Sequence, residues 1–255
     1  MKRISKILGF TGIAALLLYG LLSQPRWLFS LAEWVRPGAI YTVSLPTFVD
    51  SEYGPLPPEK VVALTIDDGP SSATADILET INLYEAKATF FNISGNLAGY
   101  EETVQQVVAS GHELGNHLTA DEPSIRMSPT EFEADLLAAE QAFLPFLPPG
   151  TAQSLRWLRP GMGFYNQSMV DIADRHGYQL VLGSNFPYDT HVHSSRFASA
   201  FILHTVQPGD IIVLHDGEKR GPRAAETLER LLPALQVKGY SVVTVSELVE
   251  KGAAR

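Results

Sequence analysis

Asp67 and Asp68 stand side by side at the end of the run Val61-Val62-Ala63-Leu64-Thr65-Ile66, and Gly69-Pro70 follows them. Adjacent carboxylates repel when both are charged, so a fold that keeps them together gains from a cation or a shared proton between them. Asp-Gly-Pro is also ordinary turn chemistry, and this stretch alone leaves both readings open. Other reactive side chains recur at comparable places. Asn116-His117 is followed by Asp121, Arg159 by Pro160-Gly161, Tyr188 by Asp189, and His215 by Asp216. Carboxylates, imidazoles and one guanidinium are the materials of proton transfer and of a metal held by oxygen and nitrogen. The chain has no cysteine, which removes disulfides, thiolate metal sites and Cys nucleophiles and leaves the redox compartment open.

What must position these groups is a series of strand–helix units. Val61 to Asp67 reads as a buried strand. Helices are expected from Ser72 as cap, over Glu101 to Ser110 with Gly111 as its stop, and from Ser128-Pro129 to about Leu144. Further helices are expected over Ser168 to His176, Ser195 to Val206, Arg223 to Val237 and from Glu247. Strands are expected over Ala88–Ile93, His112–Asn116, Ser154–Leu158, Gly177–Leu182, Asp210–Leu214 and Ser241–Val245. Repeated βα units imply a mainly parallel sheet with right-handed crossovers. About seven units in roughly 190 residues favour a small or irregular β/α barrel over an open sheet. In such a fold the strands' C-terminal ends carry the chemistry, and each group named above follows a predicted strand.

The 255 residues carry a formal charge of −9, and no basic stripe interleaved with aromatics appears, which argues against nucleic acid as a partner. Lys2, Arg3 and Lys6 precede an apolar run from Ile7 to Leu22. As a helix that run reaches about 24 Å, between a signal-peptide core and a short anchor. Residues 1–24 are therefore read as a signal peptide or an N-terminal membrane anchor, residues 25–58 as a Pro-rich connector, and 59–251 as the domain of βα units. Trp27, Phe29 and Trp34 suit a membrane interface, and Ala39 to Val43 suits an extra strand. Export to the cell envelope follows, anchored or secreted.

Four ordered segments resemble the motifs of the NodB-type polysaccharide deacetylases, carbohydrate esterase family 4. They are Thr65-Ile66-Asp67-Asp68-Gly69-Pro70, Gly111-His112-Glu113-Leu114-Gly115-Asn116-His117, Arg159-Pro160 and Leu214-His215. The resemblance spans roughly Val61 to Glu250 and implies a distorted, incomplete (β/α) barrel, in line with the strand count. It implies metal-dependent removal of acetyl groups from N-acetylated amino sugars of a peptidoglycan- or chitin-like polysaccharide or oligosaccharide. The implied cofactor is a divalent metal, zinc foremost, with cobalt or another divalent ion as alternatives. By the resemblance Asp67 is the base, Asp68 and His117 bind the metal, and Arg159 holds the base. His215 protonates the leaving amine, and Leu214 lines the acetyl pocket.

Three positions depart from the family pattern. The second metal-binding His is replaced by Asp121, four residues after His117, which reaches the same ion if that segment is helical. Two carboxylates would leave a metal weaker as a Lewis acid and less exclusively suited to zinc. Where the family has Arg-Pro-Pro-Tyr, this chain has Arg159-Pro160-Gly161-Met162, with Met162 as the oxyanion donor and Gly161 expected to loosen the loop. The fourth motif is replaced by Asn185-Phe186-Pro187-Tyr188-Asp189, whose Asp189 would pair with His215. Together they look like a subfamily with Asp in place of the second histidine.

His112 reads as structural, His191 and His193 as surface groups, and His176 and His204 as helix-end residues; Phe164 or Tyr165 could stack on a sugar. The competing functions are an O-acetyl polysaccharide esterase and a non-catalytic sugar-binding relative. The latter has no need of Asp67 and His215.

Overall fold

The computed structural model describes residues 24–47, 49–50, 54–55, 58–148 and 155–253. The N-terminal segment read as a signal or anchor lies outside them, apart from Gln24. Among the described residues no helix is long and apolar enough to cross a membrane.

β4 (Val61–Asp67) is the central strand, and all seven of its residues are buried. A strand covered on both faces carries apolar residues without alternation, as its sequence does. It pairs in parallel with β9 (Ile211–His215) on one side. On the other side its first half meets β10 (Ser241–Val243) and its second half β5 (Thr89–Asn92). The sheet continues in parallel through β6 (Glu113–Asn116), β7 (Trp157–Leu158) and β8 (Gln179–Val181) to β1 (Ala39–Ile40). Single bridges from Asn185 to Ile212 and from Thr42 to Asp210 bring the far end back towards β9. The result is a distorted, incomplete (β/α) barrel. A separate antiparallel pair, β2 (Val49–Asp50) and β3 (Gly54–Pro55), lies in the connector.

Alternation along the strands divides the core in two. Val61 and Ala63 pack inside the barrel with Phe91, Trp157, Val181 and Ile211. Val62, Leu64 and Ile66 face outward, packing with Ile77, Ile81, Leu228 and Leu231 of the surrounding helices. Those helices are α2 (Thr74–Leu83), α3 (Glu101–Ala109), α4 (Pro129–Phe143), α5 (Gln167–Arg175), α6 (Ser195–Thr205), α7 (Gly221–Val237) and α8 (Val245–Ala253). α4 starts as its sequence predicts: Ser128 and Glu131 form a reciprocal capping box, with Pro129 in the first turn. Asn166 and Ser194 cap α5 and α6 singly, their side chains accepting the N–H of Met169 and of Phe197.

Two readings change. Ser72 does not cap α2; its hydroxyl donates to Glu218, and the helix begins later, at Thr74. The Pro-rich connector holds a helix that the sequence reading did not include: α1 (Arg26–Val35) occupies much of it. The expected strand over Ala39–Val43 is present in shortened form as β1.

Candidate active site

Strand register brings the reactive groups to one rim. Asp67 and His215 are direct partners across β4 and β9. The ladder then runs past the strand ends: Asp68 N–H donates to Phe91 O, His117 N–H to Asn92 O, and Arg159 N–H to Asn116 O. Each residue that follows its strand is therefore held by a carbonyl at the end of the neighbouring strand. Asp68 and Leu118 take positive φ values of 68° and 66°, turning the chain sharply where the side chains must converge.

Arg159 lies across the barrel interior. Its Nη1 donates to Asp67 Oδ1 at 2.6 Å and to Thr65 Oγ1 at 2.7 Å, its Nε donates to Val181 O, and its guanidinium stacks over Phe91. Both partners of the pair are buried. A buried carboxylate tied in this way cannot rotate, so its remaining oxygen has a fixed direction.

Asp68 faces His117 with Oδ1 to Nε2 at 3.3 Å. His117 Nδ1 donates to the Arg159 carbonyl at 2.6 Å, which fixes the ring and reserves Nε2 for the site. Burial opposes charge on both groups. Their mutual contact outweighs it, so Asp68 is pulled below and His117 pushed above its ordinary range. Asp121 does not reach this pair directly. The segment after His117 is not helical, and the Asp121 side chain is half exposed. It meets Asp68 through Arg220, whose Nη2 lies 2.8 Å from Asp68 Oδ2 and 3.5 Å from Asp121 Oδ2.

His215 Nδ1 donates to Asp189 Oδ1 at 2.9 Å, and Asp189 Oδ2 accepts the His215 backbone N–H at 3.0 Å. Burial lowers the imidazole's pKa, but the bond and charge of Asp189, with Asp67 and Asp68 beyond, raise it to about 9.

Comparison with known proteins gives the family. The profile of polysaccharide deacetylases matches residues 55–181. The peptidoglycan-N-acetylglucosamine deacetylase of Bacillus cereus is 33% identical over 195 residues, spanning 75% of this chain and 89% of the relative. The chain belongs to the polysaccharide deacetylase family. The chitooligosaccharide deacetylase of a Bradyrhizobium species is 30% identical, over 81% of this chain and 99% of the relative. The crystallised Xyl-CE4 domain of a xylanase from a Trinervitermes trinervoides hindgut metagenome superposes with TM-score 0.70 at 30% identity, over 77% of this chain and 93% of that one. A crystallised peptidoglycan N-acetylglucosamine deacetylase gives 0.74 at 22%, covering 86% and 96%. A Bacillus anthracis pseudoenzyme of the family gives 0.71 at 22%, covering 84% and 70%. The last two show the fold alone.

Within this deacetylase fold two predicted residues behave differently. Leu214 is fully buried in the outer core, because alternation along β9 turns it away from His215. Val213 shares the face of His215 instead. Gly161 does not loosen its loop; it is buried, and a Cβ there would lie 2.0 Å from Glu122 O. Its N–H donates to Ser124 Oγ, and that of Gly163 donates to Pro160 O. Met162, exposed and at φ 61°, keeps a backbone N–H with no partner among the described residues. Phe164 beside it is exposed, whereas Tyr165 is buried with its hydroxyl donating to Arg36 O. His112 is structural, as expected: Ala88 N–H donates to its Nδ1, and burial lowers its pKa to about 4. Arg220 was not legible in the sequence. It sits in a charged loop before a helix, where arginine is commonplace.

Proposed function

We propose that this chain is an exported, divalent-metal-dependent hydrolase that removes acetyl groups from N-acetylated amino sugars of a cell-surface polysaccharide or oligosaccharide. The single observation that carries the reading is the rim on which Asp67 held by Arg159, Asp68 facing His117, and His215 held by Asp189 all converge. Relatives named as peptidoglycan and chitooligosaccharide deacetylases support the substrate class.

The donor set suits a divalent cation. His117 Nε2 and an Asp68 oxygen face each other in a buried site, and the Arg220 guanidinium already seats positive charge between Asp68 and Asp121. Asp68 and His117 would hold the ion, with Asp121 as third ligand once Arg220 moves aside. Bound there, a divalent cation lowers the pKa of water and polarises an acyl oxygen. Two carboxylates and one imidazole accept zinc but also harder ions such as cobalt.

The remaining chemistry belongs to the chain's own groups. Asp67, oriented by Arg159, takes the proton of the attacking water. The Met162 N–H donates a hydrogen bond to the developing oxyanion. His215, kept protonated by Asp189, delivers a proton to the amine as it leaves. Val213 replaces Leu214 as the side chain beside the acetyl methyl, and exposed Phe164 offers a sugar-stacking face. Residues 59–251 form the catalytic unit, and the N-terminal segment directs export and holds the chain in the envelope.

Acetate release from N-acetylated and from O-acetylated oligosaccharides, with metal-stripped and reloaded protein, tests the reading. Release from the N-acetylated substrate, lost on stripping and in Asp67→Asn and His215→Ala, is expected. Equal activity of the stripped protein or of both variants sinks the mechanism. Exclusive O-acetyl release makes the chain an esterase.

A further inference from the structure

α1 carries an apolar face that the barrel does not cover. Trp27, Leu31 and Trp34 are 63%, 47% and 81% exposed, and Val35 and Leu28 beside them are 61% and 37% exposed. At 3.6 residues per turn these five fall within an arc of about 120°. Phe29, on the opposite side, is buried against Tyr41 and Phe186. The exposed stripe therefore does not arise from a loosely attached helix. The Gln24 side chain bonds both the N–H and the C=O of Phe186, Arg26 Nη2 donates to Pro208 O, and Arg36 and Tyr165 exchange side-chain-to-carbonyl bonds.

The position of this helix in the chain says what meets it. The apolar run Ile7–Leu22 ends four residues before Arg26. Even fully extended, that link reaches only about 14 Å. A chain held by residues 7–22 in a bilayer must start α1 at the bilayer surface. A contiguous patch of two tryptophans and three aliphatic residues matches the headgroup boundary, where indole rings have one apolar and one wet edge.

We propose that α1 lies flat in the membrane interface through Trp27, Leu28, Leu31, Trp34 and Val35, so that the catalytic barrel is held at a fixed attitude to the bilayer. The proposal rests on the anchor reading of residues 7–22. Because Phe29, Gln24, Arg26 and Arg36 bind the barrel while the stripe binds lipid, α1 is a rigid mount and not a tether.

The full chain reconstituted in lipid nanodiscs supplies the test, with lipids brominated at shallow acyl positions as quenchers. Only Trp27, Trp34 and Trp157 fluoresce as tryptophans, and Trp157 lies buried within the barrel. Quenching should remove most of the emission contributed by Trp27 and Trp34 and none of that from Trp157. The Trp27→Phe/Trp34→Phe variant, altered only at exposed positions, should show no quenching. Retention of the chain in alkali-washed membranes reports the anchor separately. Retained chain with unquenched Trp27 and Trp34 overturns the docking and leaves the anchor, whether water, a second copy or residues 7–22 cover the stripe. Release from the washed membranes overturns both.

Discussion

Replacing Asp189 by Asn removes the charge that keeps His215 an acid while leaving a side chain of the same shape. In the native site burial pulls the imidazole down, and Asp189 reverses it, giving a pKa of about 9 against an ordinary 6.5. Without Asp189 the burial remains and only the charges of Asp67 and Asp68 oppose it, so the value should fall back towards the ordinary 6.5. A drop of about 2.5 pH units corresponds to about 3 kcal/mol of lost bias towards the protonated ring. At pH 8 the protonated fraction then falls about 30-fold, whereas at pH 6 the difference is less than about twofold. A cation on Asp68 lowers His215 in both proteins alike, so the difference between them still reports Asp189.

The assay is kcat for acetate release across pH 5.5 to 10. The variant should lose its alkaline limb early and regain near-native activity in mild acid. Stability should follow the same proton. The raised pKa gives stabilisation that is complete below the unfolded value near 6.5 and disappears as pH rises through about 9. The Tm gap between the two proteins should therefore be wide at pH 6 and close by pH 10. A loss of activity equal at every pH would refute the reasoning and reduce Asp189 to a holder of the His215 ring and backbone N–H.

Arg159→Met should strand Asp67 in a buried site and cost about 3–5 kcal/mol in urea unfolding, together with nearly all activity. Arg220→Gln should tighten metal binding roughly tenfold by calorimetry, because the ion no longer displaces a guanidinium from Asp68; unchanged affinity removes Arg220 from the competition. The same variant should melt a few degrees lower without metal, where the Asp68 partner is lost. Asp121→Ala should weaken metal binding at least about tenfold; identical titrations would exclude it as a ligand. Gly161→Ala should cost about 1–3 kcal/mol by overpacking against Glu122, read as a lowered midpoint in urea.

The strand ends were legible because chemistry and secondary structure coincide there. Val61–Asp67 is an unbroken apolar run that must be buried, and its two carboxylates could only fall at its end. The family's motif order then assigns His117, Arg159 and His215 to the same rim. Side-chain direction was less legible. The resemblance put Leu214 at the acetyl pocket beside His215, but a strand's period of two turns Leu214 into the outer core and gives that face to Val213. α1 was hidden by the prolines around it, although Trp27, Leu31 and Trp34 already had helical spacing. Arg220 carried no signal, since what recruits it is an acidic pair from two other loops.

Two of the departures from the family pattern are mechanically one. The loop after His117 carries Asp121, and one residue later the carbonyl of Glu122 passes over Gly161 so closely that any Cβ would strike it. Ser124 in the same loop then accepts the Gly161 N–H at 2.6 Å. A proline at 161, as in the common motif, would bring a ring into that space and remove that donor. The Asp121 loop can occupy its place only over a glycine. The carbonyl of Arg159 meanwhile holds His117, so the same short segment fixes the imidazole that faces Asp68 and makes room for the loop that carries Asp121. A graft that restores histidine at 121 in this chain therefore inherits a loop path set by Gly161. Gly161→Pro should shift metal affinity even though residue 161 contributes no ligand; unchanged affinity in a folded variant would break the link between the two loops.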